Sequence, residues 1–72
     1  MVENIEFELE YPRLRVKLNH YWLSFRINDY ELEYDLIKYI LDEIDIRVEY
    51  MRNKGLTDEE KEILIEKMLK VL

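Results

Sequence analysis

From Ile5 the chain reads IEFELEY, then LRVKL, then YWLSFRI, and within each run apolar and polar residues alternate one for one. Alternation with a period of two gives a half-buried strand; wound into a helix, the same residues would scatter their apolar side chains around every face. Ile5, Phe7, Leu9 and Tyr11 share one side with Glu6, Glu8 and Glu10 on the other, Leu14, Val16 and Leu18 oppose Arg13, Arg15 and Lys17, and Tyr21, Leu23, Phe25 and Ile27 oppose Trp22, Ser24 and Arg26. A shorter run follows, with Tyr30, Leu32 and Tyr34 against Glu31 and Glu33. The spacing predicts strands over residues 4–11, 13–18, 21–27 and 30–34. The breaks between them, Tyr11-Pro12, Asn19-His20 and Asn28-Asp29, have the length of tight hairpin turns, so the strands form an antiparallel meander. Asn, Asp and His tolerate positive φ best among residues with a side chain, which suits type I′ turns at the last two breaks; Tyr11-Pro12 suits a cis peptide in a type VI turn, or a wider loop.

Two-residue turns fix a register that the charges can test. Closing the first hairpin on Glu10 and Arg13 sets Glu8 opposite Arg15 and Glu6 opposite Lys17, all complementary. The second sets Lys17 opposite Trp22, Arg15 opposite Ser24 and Arg13 opposite Arg26; the third would set Arg26 opposite Glu31 and Ser24 opposite Glu33.

At Asp35 the period changes to that of a helix. Leu36, Ile37, Ile40, Leu41, Ile44, Val48 and Met51 make one stripe of a helix over residues 36–53, with Asp35 as its cap and the glycine of Asn53-Lys54-Gly55 at its end. Thr57 and Glu60 have the spacing of a capping box for a second helix over 58–71, with Leu64, Ile65, Met68, Leu69 and Leu72 on its apolar side. The expected architecture is α+β: a four-stranded antiparallel β-meander followed by two α-helices packed on one face, ββββαα, in a single small domain.

Composition narrows the chemistry. With 72 residues, no cysteine and one histidine, no disulfide and no zinc site of ordinary composition can form within one chain. Gly55 is the only glycine, so a phosphate-cradling glycine loop is out of reach, and Ser24 and Thr57 are the only alcohols apart from tyrosine, neither with a base nearby in sequence. The expectation is a protein that is not an enzyme and uses no cofactor. Abundant Glu, Lys and Ile with no Gln resembles thermophile composition. No apolar run approaches membrane-span length and the start MVENIEFELE lacks a signal-peptide pattern, so a soluble, cytoplasmic protein without membrane contact is expected.

Two surfaces compete for a function. Tyr11–Asn28 carries Arg13, Arg15, Lys17, Arg26 and Trp22 without a carboxylate, in a chain whose net charge is −6. As a nucleic-acid platform, the cations would meet phosphates while Trp22 stacked on a base. As structure, they are the middle of an exposed sheet face neutralised by Glu6, Glu8, Glu10, Glu31 and Glu33, and balanced charge gives little counterion release. The structural reading is the better one. Trp22 is then either a contact anchor or a ring lying over the Lys17 stem. His20 reads as a turn residue, and Asp42, Asp45 and Glu49, which share a helix face, read as a solvated surface rather than a cation site.

The second surface is an apolar stripe of Tyr39, Ile46 and Tyr50 on the first helix, away from its main stripe. One sheet face cannot cover both, so the second helix or a second copy of the chain must cover part of it. The tyrosines Tyr11, Tyr21, Tyr30 and Tyr34 read as core residues at strand ends. The function expected is a small acidic interaction or regulatory protein that binds another protein, or itself as a homodimer, through Tyr39, Ile46, Tyr50 and Trp22. Its acidity suits a basic or nucleic-acid-binding partner; the alternative is the nucleic-acid module on the sheet face.

Overall fold

A computed structural model describes residues 4–72. Three strands, β1 (Ile5–Glu10), β2 (Arg13–Leu18) and β3 (Tyr21–Arg26), are followed by a short 3-10 turn over Ile27–Asp29 and two helices, α1 (Glu33–Arg52) and α2 (Asp58–Val71). The fold is α+β with an antiparallel sheet in the order β1-β2-β3. The pairing is the one the charges and turns dictate: Glu6, Glu8 and Glu10 face Lys17, Arg15 and Arg13, and Lys17, Arg15 and Arg13 face Trp22, Ser24 and Arg26. The Tyr11–Pro12 bond is cis. At the second turn only Asn19 takes a left-handed conformation, with φ 57°, so the turn is not the type I′ expected, which requires positive φ at both central residues.

The expected fourth strand does not form. Ile27 still donates its N–H to the Pro12 carbonyl at 2.9 Å, extending the ladder one step past β3, but the chain then closes the 3-10 turn and enters α1 at Glu33. A five-residue alternation is too short to distinguish a strand from the approach to a helix. Glu33 and Asp35 gain from the positive end of the helix dipole, and Leu32 and Tyr34, which a fourth strand would have turned inward, lie on the surface. Arg26 therefore lacks Glu31 as a cross-strand neighbour, and Ser24 lacks Glu33.

Both ends of α1 also differ from expectation. The N-cap is Leu32, without a side-chain bond, rather than Asp35, which sits inside the first turn. The left-handed residue at the C-terminus is Asn53, φ 62°, rather than Gly55. Gly55 serves a different purpose: a Cβ there would fall 2.5 Å from Asp45 Oδ1. That carboxylate accepts the Leu56 N–H at 2.6 Å, so the missing side chain lets the α1–α2 loop fold back against Asp45.

The start of α2 is held as the sequence foretells. Thr57 and Glu60 form a reciprocal capping box. Glu60 also takes both terminal nitrogens of Arg52, from the last turn of α1, and Arg52 donates further to the Gly55 carbonyl at 3.1 Å. A bidentate guanidinium–carboxylate pair of low exposure fixes the angle between the helices as well as attracting them. Arg52 and Thr57 together pull the Glu60 carboxyl down to about 2.

The core lies between one sheet face and the helices. Leu14, Val16, Leu18, Ile40, Ile44, Leu64 and Met68 are almost wholly enclosed, with Ile5, Phe25, Leu36, Ile37, Val48 and Leu56 around them. The main helical stripes thus meet the inner sheet face as their periodicity requires, although Met51 and Leu69, at the margins, remain on the surface. Among the strand-end tyrosines only Tyr30 packs against the core; Tyr11, Tyr21 and Tyr34 are exposed, the last because no strand forms to turn it inward. No helix among the described residues is long and apolar enough to cross a membrane.

Candidate functional site: the groove between β3 and α1

Helix α1 runs antiparallel to β3 beneath it. Tyr39 stands beside Phe25 at the end of the strand, their rings edge to face at 5.8 Å, and Tyr30 lies against the same tyrosine at 5.7 Å. At the other end Met51 Sδ accepts a hydrogen bond from the Asn19 side chain, next to the start of β3. The lengths match: the eleven steps of helix from Tyr39 to Tyr50 and the five steps of strand from Tyr21 to Arg26 each span roughly 16 Å. Between the two elements runs a groove in two connected parts. One is lined by Tyr21, Ile46, Tyr50 and Met51, the other by Leu23, Ser24, Arg26, Tyr30 and Tyr39; Glu43 and Arg47 border both.

The sequence explains why this groove stays open. The main stripe of α1 turns Ile40, Ile44 and Val48 into the core, and a helix so oriented leaves Tyr39, Glu43, Ile46, Arg47 and Tyr50 facing sideways, toward β3 and beyond it. Helix α2 does not cover them, because it packs alongside β1 and the opposite flank of α1. Tyr39 is partly covered, by Phe25 and Tyr30. Ile46 and Tyr50, at 60% and 91% exposure, have no such cover. The Tyr30 hydroxyl, desolvated by burial and near Tyr39, Asp29 and Glu43, has its pKa raised and keeps its proton.

Exposed apolar residues gather here to an extent the second helical stripe alone does not suggest. Tyr39, Ile46 and Tyr50 come together with Tyr21 and Met51, which the sequence pattern assigns to the core. The signal that could have found them is the absence of a partner for β3: without a fourth strand, residues near its edge lose their cover.

Trp22 stands on the other face of the sheet, apart from this stripe. Its ring lies beneath Arg15, whose guanidinium carbon is 4.2 Å from the ring centre. This replaces the Lys17 contact expected from direct cross-strand opposition, since the diagonal neighbour has the longer planar head and stacks better. Arg15 is the hub of the outer face, bonded to Glu10 at 3.3 Å and within 3.9 Å of Glu8. Arg13, Lys17 and Arg26 share that face, with Arg13 directly opposite Arg26. The face is therefore a mixed-charge ladder with a half-exposed tryptophan at its centre.

The acidic face of α1 is broken up in a similar way. Asp45 is used by the Leu56 N–H, and among the described residues no group of three or more His, Asp or Glu side chains is disposed to hold a metal ion. Compared with protein-family models, curated proteins and solved structures, the chain matches none.

Proposed function

We propose that this is a small acidic interaction protein that acts by binding another polypeptide in the β3–α1 groove rather than by catalysis. The observation carrying this reading is the cluster of Tyr21, Ile46, Tyr50 and Met51 beside a strand edge, because apolar and aromatic side chains flanking an open strand are what extended segments dock against. Backbone groups of the edge supply affinity, and the groove, with Glu43 and Arg47 at its centre, supplies selectivity. A net charge of −6 favours a basic partner, including one that itself binds nucleic acid, by raising the encounter rate.

The alternative, a nucleic-acid module built on Arg13, Arg15, Lys17, Arg26 and Trp22, has less behind it. Arg15 is already engaged with Glu10 and lies near Glu8, and it stacks on the tryptophan it would need to free.

Selection of extended peptides from a display library, followed by amide chemical-shift mapping, tests the reading. Ligands should perturb β3 and the Tyr39–Tyr50 face of α1, and Ile46→Glu or Tyr50→Glu should weaken them at least about tenfold with the fold intact, as for an aromatic or aliphatic anchor. Perturbations confined to the outer sheet face would count against it. So would saturable, salt-sensitive quenching of Trp22 fluorescence by single-stranded nucleic acid, whose expected result is no change.

A further inference from the structure

We infer that the groove's occupant is a second copy of this chain, joined through β3 in an antiparallel, two-fold pair. The inference rests on the interaction reading above and supplies its partner.

The backbone is the starting point. The Ile27–Pro12 hydrogen bond at 2.9 Å fixes which groups of β3 point at β2, namely those of Tyr21, Leu23 and Phe25. Trp22, Ser24 and Arg26 alternate with them and turn their amides to the open side, where no described strand pairs with β3. The opposite margin of the sheet is different, because Lys67 of α2 donates to the Ile5 carbonyl on the outer side of β1 at 3.3 Å. Covered edges are how small sheets avoid uncontrolled pairing, so an edge left open beside exposed apolar residues calls for an occupant.

A second β3 satisfies the side chains. Trp22, Ser24 and Arg26 belong to the outer face, and antiparallel pairing about a two-fold axis at Ser24 joins outer face to outer face and inner to inner. Ser24 then pairs with itself, Arg26 lies opposite the partner's Trp22, and Leu23 opposite the partner's Phe25, with about six new backbone hydrogen bonds. Arg26, which faces Arg13 across β2, thereby gains an aromatic neighbour on its other side. A register centred on Leu23, which also joins like faces, would instead set Arg26 beside the partner's His20 in a turn.

The helices agree with the strands. Glu43 and Arg47, one turn apart on α1, line the groove together with the central residues of β3, Leu23 and Ser24 among them. A two-fold axis there brings the two α1 helices past each other in opposite directions, so that Glu43 meets the partner's Arg47 and Arg47 the partner's Glu43. Tyr39 at one end and Ile46 with Tyr50 at the other then flank the contact from both molecules. The product is one continuous six-stranded sheet with all the helices on one side.

Sedimentation equilibrium on the full chain, with isotope-filtered spectra of a mixed labelled and unlabelled sample, tests this. The expected result is a reversible dimer with an intermolecular contact between the α-protons of Leu23 and Phe25. Ser24→Pro removes an amide that β2 does not use, so it should weaken the dimer at least about tenfold while circular dichroism stays unchanged. Glu43→Arg should weaken it too, and Glu43→Arg combined with Arg47→Glu should restore it, which guards against a proline variant that fails to fold. A dimer indifferent to both changes, or one whose contacts map to α2, overturns the inference. A chain that stays monomeric but still takes selected peptides into the groove overturns the self-pairing and leaves the interaction reading standing; one that does neither overturns both.

Discussion

Gly55 and Asp45 show how much of this molecule depends on single atoms. The Asp45 carboxylate reaches the Leu56 N–H because Gly55 has no side chain to obstruct it. Gly55→Ala should therefore displace the carboxylate and destabilise the protein by about 1–3 kcal/mol, the range for stranding a half-buried polar group. Thermal denaturation in an Asp45→Ala background supplies the check: there the same alanine should cost much less, and equal costs would mean that the clash is not the cause. The sequence reading expects a glycine at the end of a helix, but attributes it to backbone conformation. Asn53 meets that need, and only spatial proximity across the loop reveals what Gly55 is for. The Arg15 contact with Trp22 was hidden for a related reason, because a register specifies which residues oppose one another but not which diagonal neighbour has the better shape to stack.

Among the elements, α1 carries the clearest imperfection. It begins at Leu32, a largely exposed residue that offers no acceptor to the free amides of the first turn. Leu32→Ser should add a cap and stabilise the protein by about 0.5–1 kcal/mol, read as a higher midpoint in urea; a lower midpoint would show that the leucine packs usefully where it stands. Serine is preferable to aspartate because Glu31, Glu33 and Asp35 already crowd the site with negative charge. The same segment marks the limit of the sequence pattern. The first three strands were legible because each alternates over at least six residues and because oppositely charged partners of β1 and β2 check the register independently. Tyr30–Tyr34 alternates over only five residues, the Arg26–Glu31 pair that supported it rested on a two-residue turn at Asn28-Asp29 where a 3-10 turn forms instead, and Glu33, which looked like part of a fourth strand's outer face, belongs to the first turn of α1. The second apolar stripe of α1 was legible from spacing alone; that it would face the flank of β3 was not, because this depends on the missing strand.

For the molecule as a whole, a domain of this size draws only about 3–5 kcal/mol from one core, so the Arg52–Glu60 clasp between the helices carries weight. Its pH dependence follows in sign from the Glu60 carboxyl, which is lowered from 4.5 to about 2. Because the folded value lies below the unfolded one, the stabilisation is complete above pH 4.5 and is lost as the pH falls toward about 2. Urea denaturation of the wild type and of Glu60→Gln should show a gap at neutral pH that closes across that interval; a gap of constant size would mean that the pair contributes through shape rather than charge. At the level of assembly, the bond from Lys67 to the Ile5 carbonyl has a further effect. Polymerisation by strand addition needs two receptive margins on every subunit, one to accept and one to offer. With the Ile5 carbonyl of β1 already engaged and three glutamates along that strand, β1 is the poorer margin for pairing, so association through β3 as proposed above would stop at two rather than grow into fibres.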